Sequence, residues 1–357
     1  MAYTDIDKPS DYFNTLLYTG DNSNRSFTGV GFQPDLTWIK ARNNTTWHLL
    51  YDAVRTAGTG KELHSNSTAA EGASNSSLYG YLSSFDSDGF STVNGSSSSD
   101  ALNETGKTYA AWNWKAGGSA SSNSNGSITS SVSANTTSGF SIVSYTGNGS
   151  AGATIGHGLS QKPSIIITKR RDSISNWLVY SSELGATKYL ELETTNAGQT
   201  ATSRWNDTEP TSSVFSVGTS TSANPSSGTM IAYCFAEKQG YSKFGSYTGN
   251  GNADGTFVYT GFKPAWVMAK ATTDSGQSWL ISDVKRNPFN VADDRLFANL
   301  NNAENQPSDS GGIDFLSNGF KIRTNDGSTN ASGQTRIYMA FASEPFTTST
   351  GVPATAR

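Results

Sequence analysis

Apolar and polar positions alternate in short runs along this chain, and the same runs come round three times. "LYTGDNSNRSFTGVGFQPDLTWIKAR" from Leu17, "SYTGNGSAGATIGHGLSQKPSIIITKR" from Ser144 and "SYTGNGNADGTFVYTGFKPAWVMAK" from Ser246 each pass from Tyr-Thr-Gly through a polar turn to a proline. A strand leaves each of these prolines, Pro34, Pro163 and Pro264. Leu36 and Trp38 alternate with Thr37 and Ile39, and Trp266 and Met268 with Val267 and Ala269, which is the period of a β-strand. "PSIIITK" is apolar at consecutive positions, the mark of a strand covered on both faces. Each strand ends in a lysine, Lys40, Lys169 or Lys270, where a solvated head is expected. A second strand begins at Trp47, Trp177 or Trp279, a turn then opens onto Phe90, Phe215 or Phe320, and "TYAAWNWKA", "MIAYCFAEK" and "RIYMAFASE" close the copies. Trp38, Ile167 and Met268 fall at equivalent places and are expected to point inward, each into the core of its own copy.

A unit of about 100 residues is too long for a solenoid or propeller-blade repeat and suits an independent β-sandwich. The expected fold is therefore all-β, with three tandem β-sandwich domains of jelly-roll or lectin-like kind. Their bounds are 16–117, 139–240 and 241–348, with an N-terminal docking segment at 1–15, a Ser/Gly/Asn-rich linker at 118–138 and a tail at 349–357. The linker's composition predicts a flexible joint. The second joint is short and carries Tyr241 and Phe244, which predicts close packing of the last two domains. Residues 1–15 have no counterpart in the later copies and carry Tyr3, Ile6, Tyr12 and Phe13, an apolar load that suits docking onto another protein.

The repeated unit, the opening "MAYTDIDKPSDYFNT" and the phrases "AYCFAEKQGYSKFGSYTGNGNADGTFVYTGFKP" and "FLSNGFKIRTNDGSTNASG" together resemble a family of virion structural proteins of marine tailed bacteriophages. Members occur in phages of cyanobacteria and related hosts and are often labelled tail fibre. The resemblance spans essentially the whole chain. It implies a particle component of tandem β-sandwich modules, assembled in the host cytoplasm and exposed on the released virion, and it carries over no catalytic or ligand residue. Tail fibre with host-surface glycan attachment is one reading, and capsid decoration or connector with a purely structural role is the alternative. The expected partners are other virion proteins, reached through Tyr3, Ile6, Tyr12 and Phe13, and further copies of this chain, with a trimer favoured for a fibre.

Composition fits such a particle protein. Of 357 residues only 15 % are charged, 11 % are aromatic, and the net charge is -4 with no Lys/Arg run to track phosphates, so nucleic acid is not an expected partner. No stretch approaches the roughly 20 apolar residues of a membrane span. The opening has acids and a proline where a secretion signal needs a basic end and an apolar core. Cys234, the single cysteine, lies in an apolar run and reads as a small buried hydrophobe.

Candidate chemistry is sparse. His48, His64 and His157 lack the spacing of a zinc site, and His157 in "IGHGL" reads as a surface turn residue. "DSDG" from Asp86 lacks the later ligands of a calcium loop and reads as a hairpin turn. No cofactor is expected. Asp52, Glu183 and Asp283 lie near the second strand of each copy, but nothing in sequence pairs them as glycoside hydrolysis requires, so a carbohydrate-active enzyme stands behind the two non-catalytic readings. Trp47, Trp177 and Trp279 sit among apolar neighbours and read as core before sugar platforms. Trp205 in "SRWNDTEP" belongs to no repeat position and is flanked by Arg204 and Asn206, which makes these three the candidate glycan contacts.

Overall fold

The computed structural model describes residues 3–97, 101–304 and 312–354. The fold is all-β and antiparallel, and its helices are single turns such as Thr202–Trp205. Three segments of the chain each build a large sheet in the same order: opening strand, closing strand, proline strand, second strand. In the first these are Phe13–Thr19, Thr108–Trp114, Leu36–Ala41 and Leu49–Asp52. In the second they are Phe140–Thr146, Thr229–Phe235, Ile165–Arg170 and Trp177–Ser181, and in the third Ser242–Thr248, Thr335–Pro345, Phe262–Ala271 and Leu280–Asp283. Register agrees as well, since Trp38 lies opposite Trp112, Ile167 opposite Tyr233 and Met268 opposite Met339.

A small sheet covers one face of each large one. Its pairs are Arg25–Thr28 with Gly89–Val93, Ala153–Gly156 with Val214–Val217, and Phe257–Tyr259 with Gly319–Ile322. Between large and small sheets lie three separate apolar cores, around Tyr18 and Phe90, around Tyr145 and Phe215, and around Tyr247 and Phe320. The opposite face of every large sheet contributes to a fourth core that all three segments share, holding Trp38, Trp112, Ile167, Tyr233, Met268 and Met339. Trp38, Ile167 and Met268 are thus equivalent, but inward means toward this common core and not the core within each copy. The alternation in the proline strands separates one core from another rather than core from water, which is why all six residues of Leu36–Ala41 are buried. Aromatic rings bridge segments here: Trp114 and Trp266 meet edge to face at 5.7 Å, and Phe341 approaches Phe13 at 5.3 Å and Phe235 at 5.8 Å.

Hydrogen bonds close the three segments into a ring. Trp177 Nε1 of the second segment donates to the His64 carbonyl of the first at 2.9 Å, and Trp279 Nε1 of the third donates to the Glu191 carbonyl of the second at 3.0 Å. His48 of the first completes the circuit on the Phe297 carbonyl of the third at 3.0 Å. The strand-end lysines do not carry solvated heads. All three are fully buried, and Lys169 Nζ donates to the Thr68 and Ser175 carbonyls while Lys270 Nζ donates to those of Thr195 and Gln277. Lys40 Nζ is held by the Ala41 and Asn44 carbonyls. Burial lowers the ammonium pKa to about 7 at Lys40 and about 8 at Lys169 and Lys270.

Two stretches differ from expectation. Residues 118–138 carry the strands Ser121–Asn123 and Ser130–Asn135, which extend the second large sheet to its edge. Ser121, Ser122 and Ser131 face solvent while Ser130, Val132 and Ser133 are buried, so a composition typical of a linker here serves an edge hairpin. The opening segment is folded onto its own chain. Ile6 and Phe13 enter the shared core, Tyr12 meets Tyr241 at 6.0 Å, and Tyr3 donates to the Gly261 carbonyl at 2.5 Å. Of the apolar load assigned to docking on a partner, Ile6 and Phe13 are buried inside the molecule and Tyr3 and Tyr12 remain half-buried. The tail lies beside it, with the Ser349 amide donating to Asp7 at 2.6 Å.

Candidate functional site

Trp205 ends the Thr202–Trp205 turn of helix, is 2 % exposed and packs edge to face on Tyr180 at 6.0 Å, so its ring offers no face to a sugar. Arg204 lies over the Tyr189 ring at 4.9 Å and donates to Ser220, while Asn206 takes a left-handed turn conformation at φ 56°. The polar neighbours of Trp205 anchor a loop. His157 is buried rather than on the surface, accepting from the Leu159 amide and pairing with the Thr211 carbonyl, and burial lowers its pKa to about 4. Asp88 of the "DSDG" turn accepts from the amides of Gly29 and Gly31, and Cys234 is fully buried, its thiol pushed up by burial.

The carboxylates near the second strands hold the segments together. Asp52 and Arg55 form a fully buried pair at 2.5 Å, and Tyr233 of the second segment donates to Asp52 at 2.7 Å. Asp283 and Arg286 repeat the arrangement, also at 2.5 Å and fully buried, with Trp112 Nε1 of the first segment donating to Asp283 at 3.1 Å. Glu183 accepts from Ser246 across the joint between the second and third segments. None of the three carboxylates is paired with another. Among the described residues no cluster of His, Cys, Asp and Glu could hold a metal ion, and no helix is long and apolar enough to cross a membrane.

One aromatic cleft on the surface has a different character. Register places Leu49, Leu178 and Leu280 at equivalent points, so the residue before each is His48, Trp177 and Trp279. The tryptophan alignment from sequence is therefore out of step by one in the first copy. His48 accepts from Trp38 Nε1 at 2.8 Å through Nδ1, which leaves Nε2 protonated to donate to Phe297. Burial, with Lys40 nearby, holds the His48 pKa well below its ordinary value and keeps the ring neutral. Displaced from the core, Trp47 is 42 % exposed, with its ring 5.0 Å from His64 and 6.3 Å from Tyr79. It lines a cleft of about 340 Å³ with Asn44, Thr45, Thr46, Tyr79 and Asn301, where the first and third segments meet.

Sequence reading missed a lock present in every copy. Tyr18, Tyr145 and Tyr247 of the Tyr-Thr-Gly motif donate to the carbonyls of Leu102, Ala223 and Thr329. The next residues, Asn103, Asn224 and Asn330, are fully buried and bind back to the turn after the motif, as when Asn224 Nδ2 reaches Asn148 Oδ1, Ser150 O and Gly218 O. A Cβ on Gly20, Gly147 or Gly249 would lie within 2.4 Å of a backbone oxygen, which explains the motif's third residue. The signal was present as Asn followed by Gly in "NETG", "NPSSG" and "NASG".

The chain belongs to a family described as a domain of unknown function, DUF7483, whose model matches residues 8–345. No curated protein and no solved structure matches it.

Proposed function

We propose that this protein is a non-catalytic structural component of a tailed-phage particle, fibre-like, displayed on the virion surface and contributing to attachment to host glycan. In this reading the chain is three copies of one β-sandwich unit, closed around a common core into a single-chain counterpart of a trimer. The observation that carries it is that shared core, in which the ionisable groups of the segment junctions are tied to one another and to carbonyls. Such an interior suits a rigid body that presents outer surfaces, and the resemblance to phage structural proteins points the same way.

A purely structural role as decoration or connector is favoured by one observation. Phe257 and Tyr259 stand 44 % and 56 % exposed on the small sheet of the third segment. Register places Ser26 and Thr28 there in the first segment and Thr154 and Gly156 in the second, so only one copy presents an aromatic pair to a neighbour. Cryo-EM of the intact particle tests the proposal. Density for this chain at a surface-exposed fibre or collar supports attachment, density within a capsid lattice supports decoration, and absence of the chain from purified particles overturns both.

A further inference from the structure

In the second and third segments the tryptophan that opens the second strand is buried and donates to a carbonyl of the neighbouring segment. In the first segment His48 performs that task, and Trp47 is left over at the surface. A large ring left 42 % exposed forfeits part of the burial free energy open to it. Trp47 is nonetheless held in place, tilted 54° to His64 and 77° to Tyr79. The result is an ordered aromatic platform.

The polar surroundings narrow what the platform suits. Thr45 and Asn301 are exposed, and the Thr46 hydroxyl is buried without a hydrogen-bond partner among the described residues. Thr45 and Asn301 are thus the polar side chains of the cleft that stand open to a ligand. Asn44 is already committed, donating to Glu104 and accepting from the Thr45 amide, which fixes the rim. Among the described residues none that lines the cleft is charged, and its volume of about 340 Å³ falls in the range of small-ligand sites. An aromatic face beside neutral hydroxyl and amide groups matches a pyranose, which has an apolar C–H face and a rim of hydroxyls. A protein partner would need a broader apolar patch than one ring and its edge neighbour.

We propose that the Trp47 cleft binds a neutral pyranose. For its biological meaning the inference rests on the attachment reading, but the binding itself is testable apart from it. Methyl glycosides of glucose, galactose, mannose and N-acetylglucosamine serve as probes on the whole chain, with binding followed by saturation-transfer NMR and intrinsic fluorescence. At least one should bind saturably in the millimolar range. Trp47→Ala should weaken it more than about tenfold, Trp47→Phe should retain part of the affinity, and Thr45→Val should weaken it by roughly threefold, an amount matching one neutral hydrogen bond. Because Trp47 is exposed, unchanged thermal unfolding of the variants should show that loss of binding is not loss of fold. Failure of all neutral probes, preference for a charged sugar alone, or equal binding by wild type and Trp47→Ala overturns the cleft as a neutral-sugar site. If Trp47→Ala loses the sugar yet adheres to host cells as wild type does, the cleft has no part in attachment, while sugar binding by the cleft and the attachment reading both stand. If the sugar binds but the chain is absent from particles, the attachment reading falls while the cleft stands.

Discussion

Asn224 offers its amide to three acceptors and takes the Asn148 amide in return, all while fully buried. Asn224→Ala removes these bonds and leaves the Gly218 and Ser150 carbonyls without that donor, so a loss of roughly 2–4 kcal/mol is expected in denaturant unfolding. A change below about 0.5 kcal/mol would show that water replaces the side chain. The histidines make a second prediction at this scale. Burial lowers the folded pKa of His64 and His157 from 6.5 to about 4, and holds that of His48 well below its ordinary value. Between these values the unfolded chain binds protons that the folded chain refuses, so this contribution is complete above pH 6.5 and is lost as pH falls toward 4. Asp35, Glu62 and Glu193, raised by burial, act in the opposite sense as pH falls. The informative quantity is therefore a difference: His157→Asn should show a shallower loss of stability between pH 6.5 and 4 than wild type, and parallel curves would refute the buried neutral ring.

At the level of strands and sheets, Met268→Asp places a carboxylate where three segments meet, an unpaired burial worth several kcal/mol. The expected outcome is a single cooperative calorimetric transition at lower temperature, because the damaged core belongs to every segment. A split transition with one segment melting first would contradict the shared core. Lys270→Asp should be comparably harmful, since it sets a carboxylate against the Thr195 and Gln277 carbonyls that the lysine now satisfies. Strand identity and succession along the chain were legible because alternation and turn residues are local signals, whereas the order of strands within each sheet was not. The second burying face was legible only in the middle copy's continuous apolar run; in the other two, period-two patterning reports two faces without saying that both are dry. The lysines were misread for a related reason: a cation at a strand end looks solvated unless the neighbouring segment's carbonyls are in view. The cleft was hidden by one residue, since repeat alignment favours Trp47 over His48 and only register separates them.

Across the whole molecule, the three junctions are alike in geometry and different in chemistry. Asp52 meets Tyr233 at one and Asp283 meets Trp112 at another, while at the third the equivalent positions are Ser181 and Met339, with Leu184 packed against the shared core. Buried side-chain hydrogen bonds at two junctions and Ser181 beside Met339 and Leu184 at the third give each interface its own partner, and one-to-one matching of this kind specifies the order of segments around the ring. It follows that the large-sheet faces through which separate segments could trimerise are already used within one chain. The intact protein is expected to sediment as a monomer at micromolar concentration, and further association on a particle would draw on outer features such as Phe257 and Tyr259. A fragment comprising residues 241–348 alone would uncover Phe244, Trp266, Met268, Trp279 and Phe341 together, a contiguous apolar face larger than soluble monomers expose. That fragment should self-associate or aggregate where the intact chain does not. A soluble, folded, monomeric fragment would mean that the core between its own two sheets suffices and that the shared core is not what holds the segments together.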